Sequence, residues 1–287
     1  MEKILKCGKA EAVVNTLGGE LTSFKVDGKE YVWYADSAHW AGHAPLCFPF
    51  VSLLKDNKVR FDGVEYEIPL RHGIARRSEF ELLECNDESA CFLFTSSEAT
   101  KQYYPYDFEL IATHDITEDS FKTTYRVINK GDKAMHFCIG AHPGFCTHSS
   151  IEEWKLVFEK EENCALYYTD KKSEFSYDYK YSRPLTTEFD LKYADYDVDA
   201  LICPDLNSRK VKLVRKDDGS GMEFDFAGFD VLTLWSPPKK NSPFFALEPW
   251  KGLPALTDES GEFSDKPYCI TLAPGEEYTI GYSLKAI

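Results

Sequence analysis

Three stretches of the chain put acid–base side chains where a regular element gives way to a turn. The first is Leu70-Arg71-His72-Gly73-Ile74-Ala75-Arg76-Arg77, a histidine and three arginines around a glycine, just after a predicted hairpin. The second is His136-Phe137-Cys138-Ile139-Gly140-Ala141-His142-Pro143-Gly144-Phe145, an alternating strand that stops at a Gly/Pro break carrying His142. The third is Pro243-Phe244-Phe245-Ala246-Leu247-Glu248-Pro249-Trp250, an apolar strand ending in a carboxylate. Polar groups used for chemistry are often held at the ends of rigid elements, where the backbone opens toward a cleft. A glutamate there is partly desolvated, which raises its pKa and makes it a stronger base near neutrality. His142 and Glu248 are thus a plausible acid–base pair. Each stretch also has a structural reading. His142 could be a turn or core histidine, Glu248 could be tied to an arginine, and the arginine-rich loop could be a solvated surface.

Other chemistries lack their signatures. The chain has no P-loop, no G-x-G-x-x-G, no H-E-x-x-H and no G-x-S-x-G. His136, His142 and His148 recur every six residues, a spacing that fits no metal-ligand pattern, so no metal is assigned. The nine cysteines are scattered, without a C-x-x-C pair, and read as free thiols of a reducing compartment. The net charge of −15 argues against nucleic acid as a partner, since phosphate binding needs clustered Lys and Arg. No apolar run reaches the roughly 18 residues of a membrane-crossing helix. Met1-Glu2-Lys3-Ile4-Leu5-Lys6 is too short and charged for a signal peptide. The expected location is cytoplasmic, with no membrane partner.

The elements that must position these residues read as strands. Asp27-Gly28 separates Leu21–Val26 from Tyr31–Tyr34, and Asp62-Gly63 separates Val59–Phe61 from Val64–Ile68. Asp-Gly between alternating runs is a strong hairpin signal. Further strands are predicted at 11–14, 80–84, 90–96, 108–115, 120–128, 154–158, 165–168, 200–202, 210–215, 222–226, 232–235, 244–248, 268–272 and 278–284. Residues 173–199, rich in Tyr, Lys and Asp, read as an irregular surface excursion. No segment carries a helical apolar stripe over 11 or more residues. With 20 Phe, 17 Tyr and 5 Trp to fill a β core, the expectation is all-β: a large β-sandwich. No linker or low-complexity run divides residues 1–287, so one domain is expected.

Together these stretches resemble the aldose 1-epimerase (galactose mutarotase-like) superfamily, in its branch of LacX-like proteins and hexose-phosphate mutarotases. The resemblance rests on Trp40–Phe50, His72-Gly73-Ile74-Ala75-Arg76 with Glu79-Phe80, Asn129 through Phe145, and Trp235 followed by Pro243 through Trp250, in family order. It implies a galactose mutarotase-like supersandwich with an open sugar cleft, which interconverts the α and β anomers of an aldose without metal or organic cofactor. It further implies His142 as general acid at the ring oxygen, Glu248 as general base at the anomeric hydroxyl, and His72 as a second histidine on the ring oxygen. Arg76 would be a hydroxyl or phosphate ligand and Asp199 a substrate-binding aspartate, while Trp250, Trp235 or Trp40 could stack on the sugar. The sugar-phosphate branch often has an arginine before Pro-Leu-x-Phe-Pro, where this chain has Ala41-Gly42-His43-Ala44-Pro45. A phosphate would then depend on Arg71, Arg76, Arg77 or His43, and a neutral sugar is favoured. The alternatives are a carbohydrate-binding or sensing protein on the same fold, and a glycoside hydrolase, which would need a second carboxylate such as Asp199 beside Glu248.

Overall fold

The computed structural model describes residues 1–287. Both Asp-Gly pairs form hairpin turns with two consecutive positive φ values, 50° and 79° at Asp27-Gly28 and 53° and 78° at Asp62-Gly63. That geometry matches the right-handed twist of the flanking strands, and Gly adopts it without steric cost. The only α-helix is the four-residue Glu98–Lys101.

Two large antiparallel sheets dominate. One has nine strands in the order Glu188–Asp190, Trp154–Phe158, Lys210–Arg215, Gly221–Asp225, Glu277–Ala286, Ser120–Asn129, Phe108–Ile116, Ser89–Thr95 and Glu81–Cys85. Along Ser120–Asn129, buried residues alternate strictly with less buried ones, as expected of a sheet with one face on the core. The second sheet runs Phe175–Lys180, Tyr167–Thr169, Ala200–Cys203, Val231–Trp235, Phe244–Lys251, Ile139–Ala141 and Leu46–Cys47, with Gly144–Cys146 also paired to Phe244–Lys251. Phe244–Lys251 is buried on both faces for seven of its eight residues, so it lies inside the molecule with one face on the core and the other on the cleft. A 65-residue apolar cluster joins both sheets and the N-terminal sheet.

Two expectations are corrected and one strand was not anticipated. Tyr31–Tyr34 is not a strand: pairing stops at Glu30, and Val32 makes only a single bridge to Phe145. The Glu30 carboxylate accepts from the Phe24 and Val32 amides, which turns the chain away from the hairpin. A strand at Glu2–Cys7 carries one buried residue, Leu5, too little alternation to be read from sequence. Residues 173–199 are not an irregular surface excursion. They supply the edge strand Phe175–Lys180 to one large sheet and Glu188–Asp190 to the other. Phe175, Leu185, Phe189 and Leu191 are completely buried; spaced singly among polar residues, they leave no periodic signal.

The loops that carry the motif residues are laced together by backbone. Phe48 N–H donates to His72 C=O, His72 N–H to Ser52 C=O, and Ile74 N–H to Phe48 C=O. His72 and Gly73 both have positive φ, and a Cβ on Gly73 would lie 2.1 Å from the Phe48 carbonyl oxygen. Glycine is required there by both conformation and space. Elsewhere in the core, His114 is completely enclosed, with Nδ1 3.1 Å from Thr123 Oγ1 and Nε2 2.9 Å from Gly19 O. Burial lowers its pKa to about 4.

Gly73→Ala should destabilise the protein by about 2–4 kcal/mol, measured by urea unfolding, with Gly63→Ala, whose Cβ meets nothing, as the control for backbone strain alone. The unfolded chain protonates His114 near its ordinary pKa, whereas the folded chain resists until about 4. His114 therefore costs no stability at neutral pH, and stability falls as pH drops from about 6.5 toward 4, by up to about 3 kcal/mol. His114→Gln should reduce that loss when unfolding curves at pH 7 and pH 4.5 are compared.

Candidate active site

One face of the second sheet forms the floor of a cavity of about 210 Å³, lined among others by His72, His142, Asp199, Trp235, Glu248 and Trp250. Strand register explains how residues so far apart in sequence meet. Glu248 is the cross-strand partner of Thr233, and Thr233 of Ile202. Trp235 is paired with both Ala246 and Ala200, and Trp250 with Gly140. Paired residues project to the same face, so these rows carry Glu248, Trp235, Ala200, Ile202 and Trp250 to the cavity together. Gly140 is needed opposite Trp250, because a Cβ there would stand 2.5 Å from the indole Cδ1.

His142 follows Ile139–Ala141 directly, and its Nε2 lies 3.3 Å from Glu248 Oε2. Glu248 is only 2% exposed. Burial, then the neighbouring Asp199, pushes its pKa well above the ordinary carboxylate value, against the opposing pull of Arg71 and Arg76. Burial, followed by Arg76, lowers His142 to about 3. The 3.3 Å contact could in principle be an ion pair, but desolvation in this enclosed site outweighs the attraction. Both shifts work against charge separation, so burial favours the neutral forms of the two groups over an ion pair. Trp40 stacks on His142 at 4.8 Å between ring centroids, and Trp235 meets the ring edge-on at 5.3 Å. His142 Nδ1 has no hydrogen-bond partner, which leaves Glu248 as the group facing its Nε2.

His72 is held differently. The Ser52 amide donates to its Nδ1 at 3.0 Å, so the neutral ring must carry its proton on Nε2. Burial, with His142 and the three motif arginines, holds its pKa well below the usual histidine range. The result is a fixed neutral N–H donor. His72, His142 and Glu248 bring potential ligand atoms within 4.8 Å of one another, a set that could suggest a metal centre. With the Nδ1 lone pair committed to Ser52 and a proton on Nε2, His72 has no lone pair to offer a metal.

Asp199, at φ 79°, accepts a hydrogen bond from Trp235 Nε1 at 2.9 Å. His72, Ser52 and Asp199 all line the cavity with positive φ, a conformation unfavourable for non-glycine residues and characteristic of functional sites. Arg71 reaches across to Ser173 Oγ at 3.2 Å. Arg76 lines the cavity with no ion pair to any carboxylate of the chain. Arg77 lies behind the motif, donating to the Arg71 and Gly73 carbonyls, so it braces the loop.

Nine of the eleven residues singled out from sequence thus line one cavity: His72, His142, Glu248, Arg71, Arg76, Asp199, Trp250, Trp235 and Trp40. Arg77 and His43 do not. Glu20 accepts from the His43 and Ala44 amides and draws the imidazole to within 3.8 Å of its carboxylate, away from the cavity. Ser52 and Thr169 carried no sequence signal. Ser52 acts through its backbone amide, which any residue possesses, and Thr169 reaches the cavity from a three-residue strand. His136 and His148 bond to Thr271 and to the Glu30 carbonyl, apart from His142.

The chain was compared with known proteins. It is 34% identical over 272 residues to the plasmid-encoded protein LacX of Lactococcus lactis subsp. lactis, covering 90% of both chains. A galactose mutarotase related enzyme from Lactobacillus acidophilus superimposes with a TM-score of 0.93 at 25% identity, over 100% of this chain and 97% of that one. A galactose mutarotase-like protein from Lactobacillus casei ATCC 334 gives a TM-score of 0.90 at 24% identity, over 100% of both chains. The sequence model of the aldose 1-epimerase family matches residues 4–285, and the chain therefore belongs to the aldose 1-epimerase family.

Proposed function

We propose that the protein interconverts the α and β anomers of an aldose by opening and reclosing the sugar ring. The observation that carries this reading is the buried His142–Glu248 pair in 3.3 Å contact, next to a histidine locked as a donor. Ring opening removes a proton from the anomeric hydroxyl and delivers one to the ring oxygen. In the competent arrangement Glu248 is ionised and His142 carries the proton on Nε2, one proton transfer away from the resting neutral pair. Glu248 accepts the anomeric O–H proton as the C1–O5 bond breaks, and His142 gives its proton to the departing ring oxygen. His72 Nε2–H donates a hydrogen bond to that oxygen without giving up its proton. Rotation about C1–C2 then presents the other face of the carbonyl. Closure returns the ring-oxygen proton to His142 and the Glu248 proton to the new anomeric oxygen, so the pair again holds one proton in total.

The cavity, at about 210 Å³, is smaller than the roughly 300–1,000 Å³ typical of drug-sized ligands and suits a monosaccharide. Asp199, Arg71, Arg76 and Trp250 would bind its hydroxyls and apolar face. The nine free thiols support a reducing, cytoplasmic setting.

The test is two-dimensional exchange NMR on a panel of aldoses and their 6-phosphates, the latter included because Arg76 is unpaired. At least one sugar should exchange anomers faster than in buffer. Glu248→Gln and His142→Ala should each lower that rate by about 10²–10⁴-fold. Because His142 has a pKa of about 3, the acid limb of the rate profile should fall far below the usual histidine range. Binding without acceleration would make the protein a sugar sensor, and release of a reducing sugar from a glycoside would make it a hydrolase.

A further inference from the structure

The mechanism above leaves two buried polar groups at the site without a hydrogen-bond partner or a role, the Trp250 indole N–H and the Thr233 hydroxyl, and only Thr233 is paired across the strands with Glu248. Thr233 is fully buried, and its hydroxyl has no hydrogen-bond partner. It is the direct cross-strand partner of Glu248, with Ile202 on its other side. On the same face of its own strand its neighbours are Val231 and Trp235. Among these four neighbours only the Glu248 carboxylate is a side-chain acceptor. Leaving a hydroxyl unbonded in a protein interior is costly, and valine would fill the same space without that cost.

We propose that Thr233 is a positioning residue for Glu248, its hydroxyl donating to the carboxylate, directly or through one water, when that carboxylate is ionised. Directly opposed residues have Cβ atoms about 4.5–5.5 Å apart, so rotation about the Thr233 Cα–Cβ bond brings the hydroxyl toward the carboxylate or a bridging water. The hydroxyl has no partner in the structure, and its attraction to Glu248 strengthens when the proton moves to His142, because an ionised carboxylate is the stronger acceptor. The other groups around Glu248 do not fill this role. His142 is its proton partner, and His72 is turned to the ring oxygen. Asp199 repels the charge, and the buried Cys47 thiol on the adjoining edge, also close enough to feel Glu248, offers only a weak S–H donor. Arg71 and Arg76 favour the ionised form, but both line the open cavity, where substrate competes for them.

This inference rests on Glu248 being the base, and two readouts separate the two ideas. The first is the anomerisation rate of Thr233→Val, Thr233→Ala and Thr233→Ser. Valine and alanine should lower kcat about 10- to 100-fold, leave KM within twofold and move the alkaline limb of the profile upward, while serine restores wild-type values. The second needs no activity: carbon-13 NMR titration of carboxyl-labelled glutamate, with Glu248 assigned from Glu248→Gln. Its pKa should rise in Thr233→Val and return in Thr233→Ser. If neither the rate profile nor the titration changes in the valine and alanine variants, the proposal is overturned. A shifted titration in a protein that accelerates no aldose would uphold the Thr233–Glu248 interaction and reject Glu248 as the base.

Discussion

Removal of water from the His142–Glu248 contact is the constraint on which the rest of the site depends. In water, a carboxylate and an imidazole 3.3 Å apart would attract by only about 1 kcal/mol and both charge readily near neutrality. Enclosed by Trp40, Trp235 and the sheet, both are pushed toward their neutral forms, because separated charge is expensive in that environment. The neighbours fit that requirement. The two indoles, one stacked and one edge-on, exclude solvent without contributing a competing acceptor to the imidazole. The arginines, which stabilise an ionised Glu248, stand toward the open side of the cavity. His72 faces the same low-polarity surroundings and is kept neutral by them, but its tautomer is fixed by a main-chain amide. Two histidines of the same chemistry are thereby given different tasks, one free to move a proton and one unable to.

The scaffold delivers this arrangement through register. Glu248 and Trp250 sit two residues apart on a strand buried on both faces, and a one-residue slip would move both from the cavity to the core. Pairing on either side, to Val231–Trp235 and to Ile139–Ala141, fixes that register. The His72 loop is fixed by backbone hydrogen bonds to the 48–52 segment. The rigid parts of the site are thus held by main chain, and only the outer rim depends on side-chain contacts.

Much of this was legible in the sequence because the signals were local. Asp-Gly turns, alternating runs and histidines at Gly/Pro breaks announce themselves within a few residues. The residues that were misplaced or missed depend on distant partners. His43 has the motif position of a ligand, but Glu20, remote in sequence, decides where its ring goes. Residues 173–199 bury one apolar side chain at a time, so their two edge strands form only because two sheets elsewhere offer a free edge. Ser52 contributes an amide, for which no residue type is diagnostic. Strand ends suggested His142 with Glu248, and resemblance to a family added His72 to them.

The contact between Arg71 and Ser173 has a further consequence. Ser173 lies in the turn joining the outermost two strands of the sheet, whereas Glu248 lies near its centre. A hairpin at a sheet margin tolerates insertions and changes of side chain that a central strand does not. The rim of the cavity around Arg71 can therefore drift while the central His142–Glu248 pair stays fixed. The two ends of the cavity are mechanically separable in this molecule, and remodelling a single turn would reshape the rim without disturbing the pair.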